Sequence, residues 1–450
     1  MTHPLTRTVR IAAGALLLLA GAWAQGGTQT AAPLSVQIGG AQFTPGGFLD
    51  LTSVFRTTNV GSGIGTSFGS IPFSNTAAGQ LSEFRFSAQN SRLSLRVDSQ
   101  PGGAKLTGYV EADFLGNAPA NLVVGSNSNT LRMRLYWLDI RKGGWEVLAG
   151  QSWSLLTPNR KGLSPMPSDI FYSQDMDTNY QVGLTWSRDP QLRVIRHFGS
   201  SWALGVSFEN PEQYIGSAGT VTLPAASYAS QFSTGANSAT PNLHPDIVAK
   251  LAYDTTAAGH AVHLELAGLE RTFRDVNPAT NVKNTLAGGG VSLNGNIEVV
   301  KNFRVIATSF YSDGGGRYIF GLGPDLVVHA DGTLSAVHSA SGIGGFEWQA
   351  TPAWMLYGYY GGAYFQRNFE TTAAGDIGFG YAGSPSAANR AIQEGTMGII
   401  HTFWHKPSYG ALALITQYSY LVRAPWSVAA GSPRTAKSNM VWVDLRYTLP

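Results

Sequence analysis

The chain has 450 residues, with only 13% charged, 11% aromatic, 54 glycines and no cysteine. The charged share is about half that of an ordinary globular domain. Without cysteine there is no disulfide scaffold, thiolate-held zinc, iron–sulfur cluster or cysteine nucleophile. The aromatic content argues against a disordered chain.

Residues 1–24 read as a secretory signal peptide. Arg7 and Arg10 give a positive start, Ile11 to Ala20 is an apolar run, and Ala22-Trp23-Ala24 is a small-x-small cleavage site before Gln25. The run is too short for a spanning helix, which needs about 20 residues. Its removal takes two arginines and no acid, leaving 28 basic against 27 acidic residues. That balance offers nothing to nucleic acid. No later stretch is long and apolar enough for a membrane helix, so an exported chain of this kind is either soluble or a transmembrane β-barrel.

Residues 25–42 look like a short flexible lead-in, and 43–450 like the barrel. Segments of about ten residues alternate apolar and polar, with Gly, Pro, Asn and Ser between them. In the last, Val441, Val443, Leu445, Tyr447 and Leu449 share one face and Trp442, Asp444, Arg446 and Thr448 the other. Sixteen strands are expected, near 43–57, 84–99, 104–114, 130–141, 145–154, 184–198, 202–209, 246–255, 261–274, 286–298, 303–311, 340–350, 354–366, 393–405, 411–422 and 439–449. Splitting 179–198 at Asp189-Pro190 would give seventeen and put the long stretch 210–245 among the short turns. Keeping one strand, with Pro190 at a bulge, puts every long connection on one side. The expectation is an all-β, 16-stranded antiparallel transmembrane barrel with a water-filled lumen.

The third outer loop, 155–183, is expected to fold inward as the constriction. It carries Asn159, Arg160, Lys161, Asp169, Asp175 and Asp177. In the second strand Leu93, Leu95 and Val97 alternate with Arg92, Ser94, Arg96 and Asp98, so Arg92 and Arg96 point to water. Earlier in that strand Phe84 and Phe86 put Arg85 inward, so the parity must change near Asn90-Ser91, at a bulge. Lys105 lies inward on the next strand. Arg132 and Arg134 oppose Leu131, Met133 and Leu135. The alternation does not choose between Arg193 and Arg196. A row of such cations makes an anion path, because arginine keeps its charge and binds carboxylate bidentately. The alternative is structural pairing, for example of Arg92 with Glu111 or Asp113.

Catalytic signals are weak. Gly65-Thr66-Ser67-Phe68-Gly69 fits G-x-S-x-G but lacks a strand–turn–helix context. His401 and His405 would share a strand face roughly 13 Å apart, and His263 and Glu265 about 7 Å apart, both poor ligand spacings. Ser152 and Ser154 have no histidine near in sequence. No cofactor, metal site or catalytic group is expected.

Several segments follow in an order that resembles one family: Phe48-Leu49-Asp50, the run from Arg85 to Arg92, the run from Gly108 to Gly116, Leu131-Arg132-Met133-Arg134, and Gly150-Gln151-Ser152-Trp153-Ser154. They resemble the DcaP-like porins of the bacterial outer membrane, best over 43–210. The resemblance implies a homotrimer of 16-stranded barrels in outer-membrane lipid, passing small anionic solutes such as dicarboxylates. Arg85, Arg92, Arg132 and Arg134 would then line the pore. Two departures stand: 25–42 is too short and glycine-rich for the periplasmic coiled coil of some members, and the chain ends in Leu449-Pro450 instead of an aromatic residue. Competing readings are an outer-membrane lipid hydrolase and a secreted soluble β-rich binding protein. A plugged 22-stranded receptor would need far more chain.

Overall fold

The computed structural model describes residues 34–117, 128–217, 219–235 and 241–450. The expected signal peptide and residues 25–33 lie outside them. The described chain forms a closed antiparallel barrel of sixteen spanning strands. They are β1 (Ala41–Arg56), β2 in two pieces (Glu83–Ser87 and Arg92–Ser99), β3 (Lys105–Asp113), β4 (Arg132–Lys142), β5 (Trp145–Trp153), β6 (Arg188–Phe198), β7 (Trp202–Glu209) and β8 (Asp246–Ala257). Then come β9 (His260–Val276), β10 (Lys283–Val300), β11 (Phe303–Asp313), β12 (His338–Thr351), β13 (Trp354–Phe365), β14 (Asn389–Lys406), β15 (Gly410–Pro425) and β16 (Ala436–Thr448). The last strand pairs with the first, from Phe48↔Thr448 to Arg56↔Met440, and this closes the cylinder.

The barrel is apolar outside and polar inside. Leu93, Leu95, Leu131, Met133, Leu264, Leu266, Val291 and Leu293 are exposed, while Asp113, Glu111, Lys250, Glu265, Arg271 and Asp444 are buried. Only a lipid surround makes that inversion stable. Trp145, Phe198, Trp202 and Trp354 are exposed beside the short turns, and Phe84, Tyr311, Tyr364 and Tyr420 near the other rim. These are the two aromatic girdles at the membrane interfaces.

Every short turn lies at one end of the barrel and every longer connection at the other. At the tight turn between β4 and β5, Gly143 takes a φ of 59°, a region costly to residues with a Cβ. Pro190 lies inside the single strand β6, but not at a bulge. It pairs in regular register with Gln151, and its carbonyl accepts from Asn210 N (3.0 Å). In an antiparallel ladder a residue's N and O point the same way. The missing N–H therefore falls at the end of the β6–β7 ladder, whose pairing starts at Gln191↔Glu209, and nothing is lost.

Two other register changes set which side chains face in. In β2 the partner of Thr52 is Ser87 but that of Phe48 is Arg92, one residue more than regular pairing allows. The parity flips across 88–91, where Ser91 Oγ accepts from Asp50 N (3.0 Å). In β4 Glu111↔Leu135 is followed by Ala112↔Met133, so Arg134 is a bulge residue. Arg134 and Leu135 then both turn inward. Leu135 is fully buried and does not face lipid as the alternation suggested.

Candidate functional site: the third-loop constriction

The third connection runs from 154 to 187, five residues longer than expected, because β5 ends at Trp153 and β6 starts at Arg188. It leaves β5 and crosses to the opposite wall. Gly183, with φ of 92°, meets β12 and β13 so closely that an added Cβ would lie 2.3 Å from Gly342 O and 2.7 Å from Gly362 O. A Cβ on Gly361 would lie 1.9 Å from Val182 O. This glycine seam is what lets the loop backbone lie flat on the sheet. Beyond it, Trp186 N donates to Tyr318 O (2.8 Å) in the loop between β11 and β12. The Trp186 ring stacks on Phe320 at 5.0 Å. Loops one and six therefore also enter the barrel, with Phe68, Ile71, Tyr318 and Ile319 in its core.

The expected loop residues do different jobs. Asn159 is buried and bridges to Ile170, closing a small loop. Arg160 spans the bore to make a two-armed ion pair with Glu347 of β12 (2.6 and 2.7 Å). Its charge is held firmly, since Glu347 more than offsets the burial. Lys161 is exposed and Asp169 half-buried.

Asp175 and Asp177 turn away from the arginines: Asp175 seats the loop on the far wall, and Asp177 ties it to the first loop. Asp175 accepts from Thr396 Oγ1 (3.3 Å) and from Gln417 Nε2. Asp177 accepts from the backbone N–H of Thr66 and Asn179. Glu394 of β14 accepts from Val182 N (3.0 Å). Burial and the neighbouring Asp177 push the Asp175 carboxyl up to about 7. Burial also raises Asp177, although the Arg56 guanidinium opposes it.

The basic wall lies across the bore. Arg134 is buried, with Nε 2.7 Å from Glu111 and Nη1 2.7 Å from Asp113. Its Nη2 donates to the Tyr180 hydroxyl at the loop tip (2.9 Å). Arg132 also pairs with Asp113 (2.7 Å). Arg92 lies 3.6 Å from Glu111, beyond hydrogen-bond reach. Tyr180 holds a left-handed φ of 63°, uncommon for an aromatic residue. Burial pushes its hydroxyl up, but the guanidiniums of Arg134, Arg92 and Arg188 more than compensate and bring it below the usual tyrosine range.

Two cations sit away from this centre. Arg85 is over a third exposed and pairs with Glu83 (3.1 Å). Arg96 pairs with Asp98 (2.6 Å), and with the exposed Lys105 it lines a separate cavity of about 480 Å³ beside the 100–104 turn. The constriction cavity itself, about 280 Å³, is lined by Phe48, Arg92, Arg160, Ser173, Tyr180 and Arg446 among others.

Sequence reasoning missed Arg188 and Arg446 as site residues. Arg446 shares a face with Asp444, a signal that was present, and it pairs with Asp50 (3.0 Å). Arg188 opens β6, where the preceding loop hides the alternation. Its guanidinium lies over Trp153 and Trp186 (5.5 and 5.7 Å), and its buried Nη1 has no hydrogen-bond partner.

The weak catalytic candidates resolve differently. A register shift between Thr402 and Trp404 puts His401 and His405 on opposite faces. The spacing of His263 and Glu265 is no barrier to contact, because their side chains meet at 3.2 Å and His263 also meets Asp254 at 2.9 Å. Ser152 and Ser154 are buried, and Ser154 Oγ accepts from Leu156 N (3.0 Å). Ser67 lies in the first loop, where its N–H donates to Ser62 Oγ.

A 16-stranded barrel narrowed by an inward third loop is the architecture of the porins. The outer-membrane channel DcaP of Acinetobacter baumannii superposes with a TM-score of 0.66 at 19% identity, over 91% of this chain and 98% of that one. An anion-selective porin from Comamonas acidovorans gives 0.51 at 13% identity, over 91% of this chain and 100% of that one. OprB of Pseudomonas putida gives 0.50 at 9% identity, over 90% of this chain and 94% of that one. No protein-family model and no curated protein sequence matches the chain.

Proposed function

We propose that the protein is a DcaP-like porin of the bacterial outer membrane. It works as a homotrimer after loss of residues 1–24, and passes small hydrophilic solutes with a mild preference for anions of the dicarboxylate type. The observation that carries this is a charge surplus on one wall of the constriction. Arg92, Arg132, Arg134 and Arg188 share one wall with two carboxylates, Glu111 and Asp113. Four guanidiniums against two acids leave two positive charges on that wall, and all four stay protonated at neutral pH. Fixed charge in a narrow, poorly screened bore lowers the barrier to ions of opposite sign. The DcaP channel and the anion-selective porin share the fold, which supports the same reading. The test is the reversal potential of the purified protein in a potassium chloride gradient. Wild type should favour chloride. Replacing Arg92 and Arg132 together by alanine should move the potential toward cations, with the barrel still folded. A cation-preferring wild type, or an unmoved potential, would return these arginines to a structural role.

A further inference from the structure

We propose that the outer rim of the barrel binds a phosphate-bearing lipid of the outer leaflet, on a patch built from Trp426, Arg367 and Arg390. The proposal concerns the outside of the cylinder and is independent of what passes through the bore. The patch lies where β13, β14 and β15 reach the long loops, which face the cell exterior. There the lipid-facing side chains run in layers. Met397 and Ile399 are exposed in the apolar band, and Tyr364 and Tyr420 are exposed in the girdle above them. The register sets these levels, since Gly395 pairs with Tyr360 and Tyr420, and Ala391 with Tyr364. Arg367 lies three residues beyond Tyr364. Arg390 is the extra residue where Asn389↔Pro425 is followed by Ala391↔Ala424. Both arginines therefore stand one layer further out than the tyrosines, at the polar edge of the bilayer.

Trp426 organises the patch. Its indole Nε1 donates to Phe365 O (3.0 Å) at the end of β13, so the side chain bridges the top of β14. The ring meets that of Tyr364 edge-on at 6.3 Å, which puts it on the lipid side. Gly380, with φ of 79°, closes over it so tightly that an added Cβ would lie 2.6 Å from the ring and 2.8 Å from Arg367 Cβ. The guanidinium of Arg367 lies 5.6 Å from the ring centre and that of Arg390 5.8 Å. Contact of this kind holds a long cationic side chain in place while its N–H groups stay free to donate.

Charge decides the occupant. Both arginines are exposed, and among the described residues neither guanidinium has a hydrogen bond or an ion-pair partner. The acids of the 368–379 hairpin are committed elsewhere. Glu370 accepts from Ala330 N (2.8 Å), and Asp376 from Thr371 Oγ1 (2.6 Å). Two ordered, uncompensated forks thus face the headgroup layer. A neutral headgroup would leave them unpaired, whereas phosphate oxygens match the fork two at a time. The acyl chains of the same lipid would run down past Tyr364 and Tyr420 onto Met397 and Ile399, an apolar face that must be covered in any case.

Lipid A, a phosphorylated glycolipid, is the probe, and the same lipid stripped of its phosphates is the control. Binding to the detergent-purified protein is titrated by native mass spectrometry, for wild type and for Arg367→Gln combined with Arg390→Gln. Wild type should bind lipid A about tenfold more tightly than the stripped lipid, and the double replacement should erase that difference. Neither arginine belongs to the constriction, so an unchanged chloride reversal potential serves as the check that the variant has folded into an open barrel. A wild type that does not distinguish the two lipids overturns the proposal, and this arm needs no variant. Undiminished lipid A binding by the double variant also overturns it, leaving the arginines as ties between loop and rim. Loss of oligomers in the double variant would overturn it by making the patch a subunit contact. Inorganic phosphate binding wild type as tightly as lipid A does would overturn it in favour of a free-ion site.

Discussion

The two walls of the constriction bury ionised groups to a similar depth and handle them in opposite ways. On the β2–β4 wall, two acids are shared among arginines at hydrogen-bond distance. Against the β14–β15 wall, Asp175 and Asp177 of the loop gather beside Glu394, held by Gln417, Thr396 and backbone N–H groups, with Arg56 the cation acting on Asp177. Arginine cannot shed its proton, so the first wall keeps its surplus as a standing field. A carboxyl can take one up, and Asp175, pushed to about 7, does so within the ordinary range of pH. On the proposed reading, selectivity belongs to the wall that cannot titrate, and loop attachment to the wall that can.

The largest test of this contrast is Arg134→Met. It leaves Asp113 with Arg132 as its ion-pair partner, and Glu111 with the Tyr109 hydroxyl and the distant Arg92. Breaking a buried pair from one side costs about 3–5 kcal/mol. The urea midpoint of the folded barrel in detergent should fall accordingly. An unchanged midpoint would mean that the first wall is held by packing and not by charge.

Next is Gly361→Leu, aimed at the seam. A side chain there collides with Val182 O, and overpacking of this kind costs about 1–3 kcal/mol. The loop should lift, so that single-channel conductance rises and protease cuts appear within 154–187 while the barrel survives. Unaltered conductance would show that the loop does not depend on the seam.

The smallest effect is that of pH on loop attachment. The Asp175 carboxyl is raised from an ordinary 3.8 to about 7 in the seated loop, so the seated state binds the extra proton. Its stabilisation is full below the ordinary value and fades as pH climbs through about 7. Hydrogen exchange at 175–183 should therefore quicken from mildly acid to mildly alkaline buffer, and Asp175→Asn should flatten the trend. Exchange that slows as pH rises, after correction for intrinsic rates, would reverse the sign.

The barrel was legible because the pleat has a strict period of two and lipid enforces it on one face. Strand number followed from the requirement that long connections share an end, which also kept Pro190 inside one strand. The flip at 88–91 was visible because Phe84 and Phe86 disagree with Leu93 and Leu95. The bulge at Arg134 was not, because Leu131, Met133 and Leu135 alternate without a break and only the pairing with β3 shows the extra residue. Loop contacts were illegible for another reason. Nothing local in sequence says that Arg160 meets Glu347 or that Asp175 turns from the arginines toward Gln417. Such pairs are set by the crossing of the bore, and Arg188 escaped notice because its neighbours Trp153 and Trp186 are brought to it only by that crossing.

The glycine seam also dictates an order of events in assembly. Gly183 precedes Gly342 and Gly361 by more than a third of the chain, and its seat exists only once β12 and β13 are paired with each other. Contacts so far apart in sequence form late, after the loop-closure entropy of everything between them has been met. The nascent cylinder thus passes through a stage with its staves aligned and its bore unobstructed, and the third loop drops into place as the finishing step of maturation.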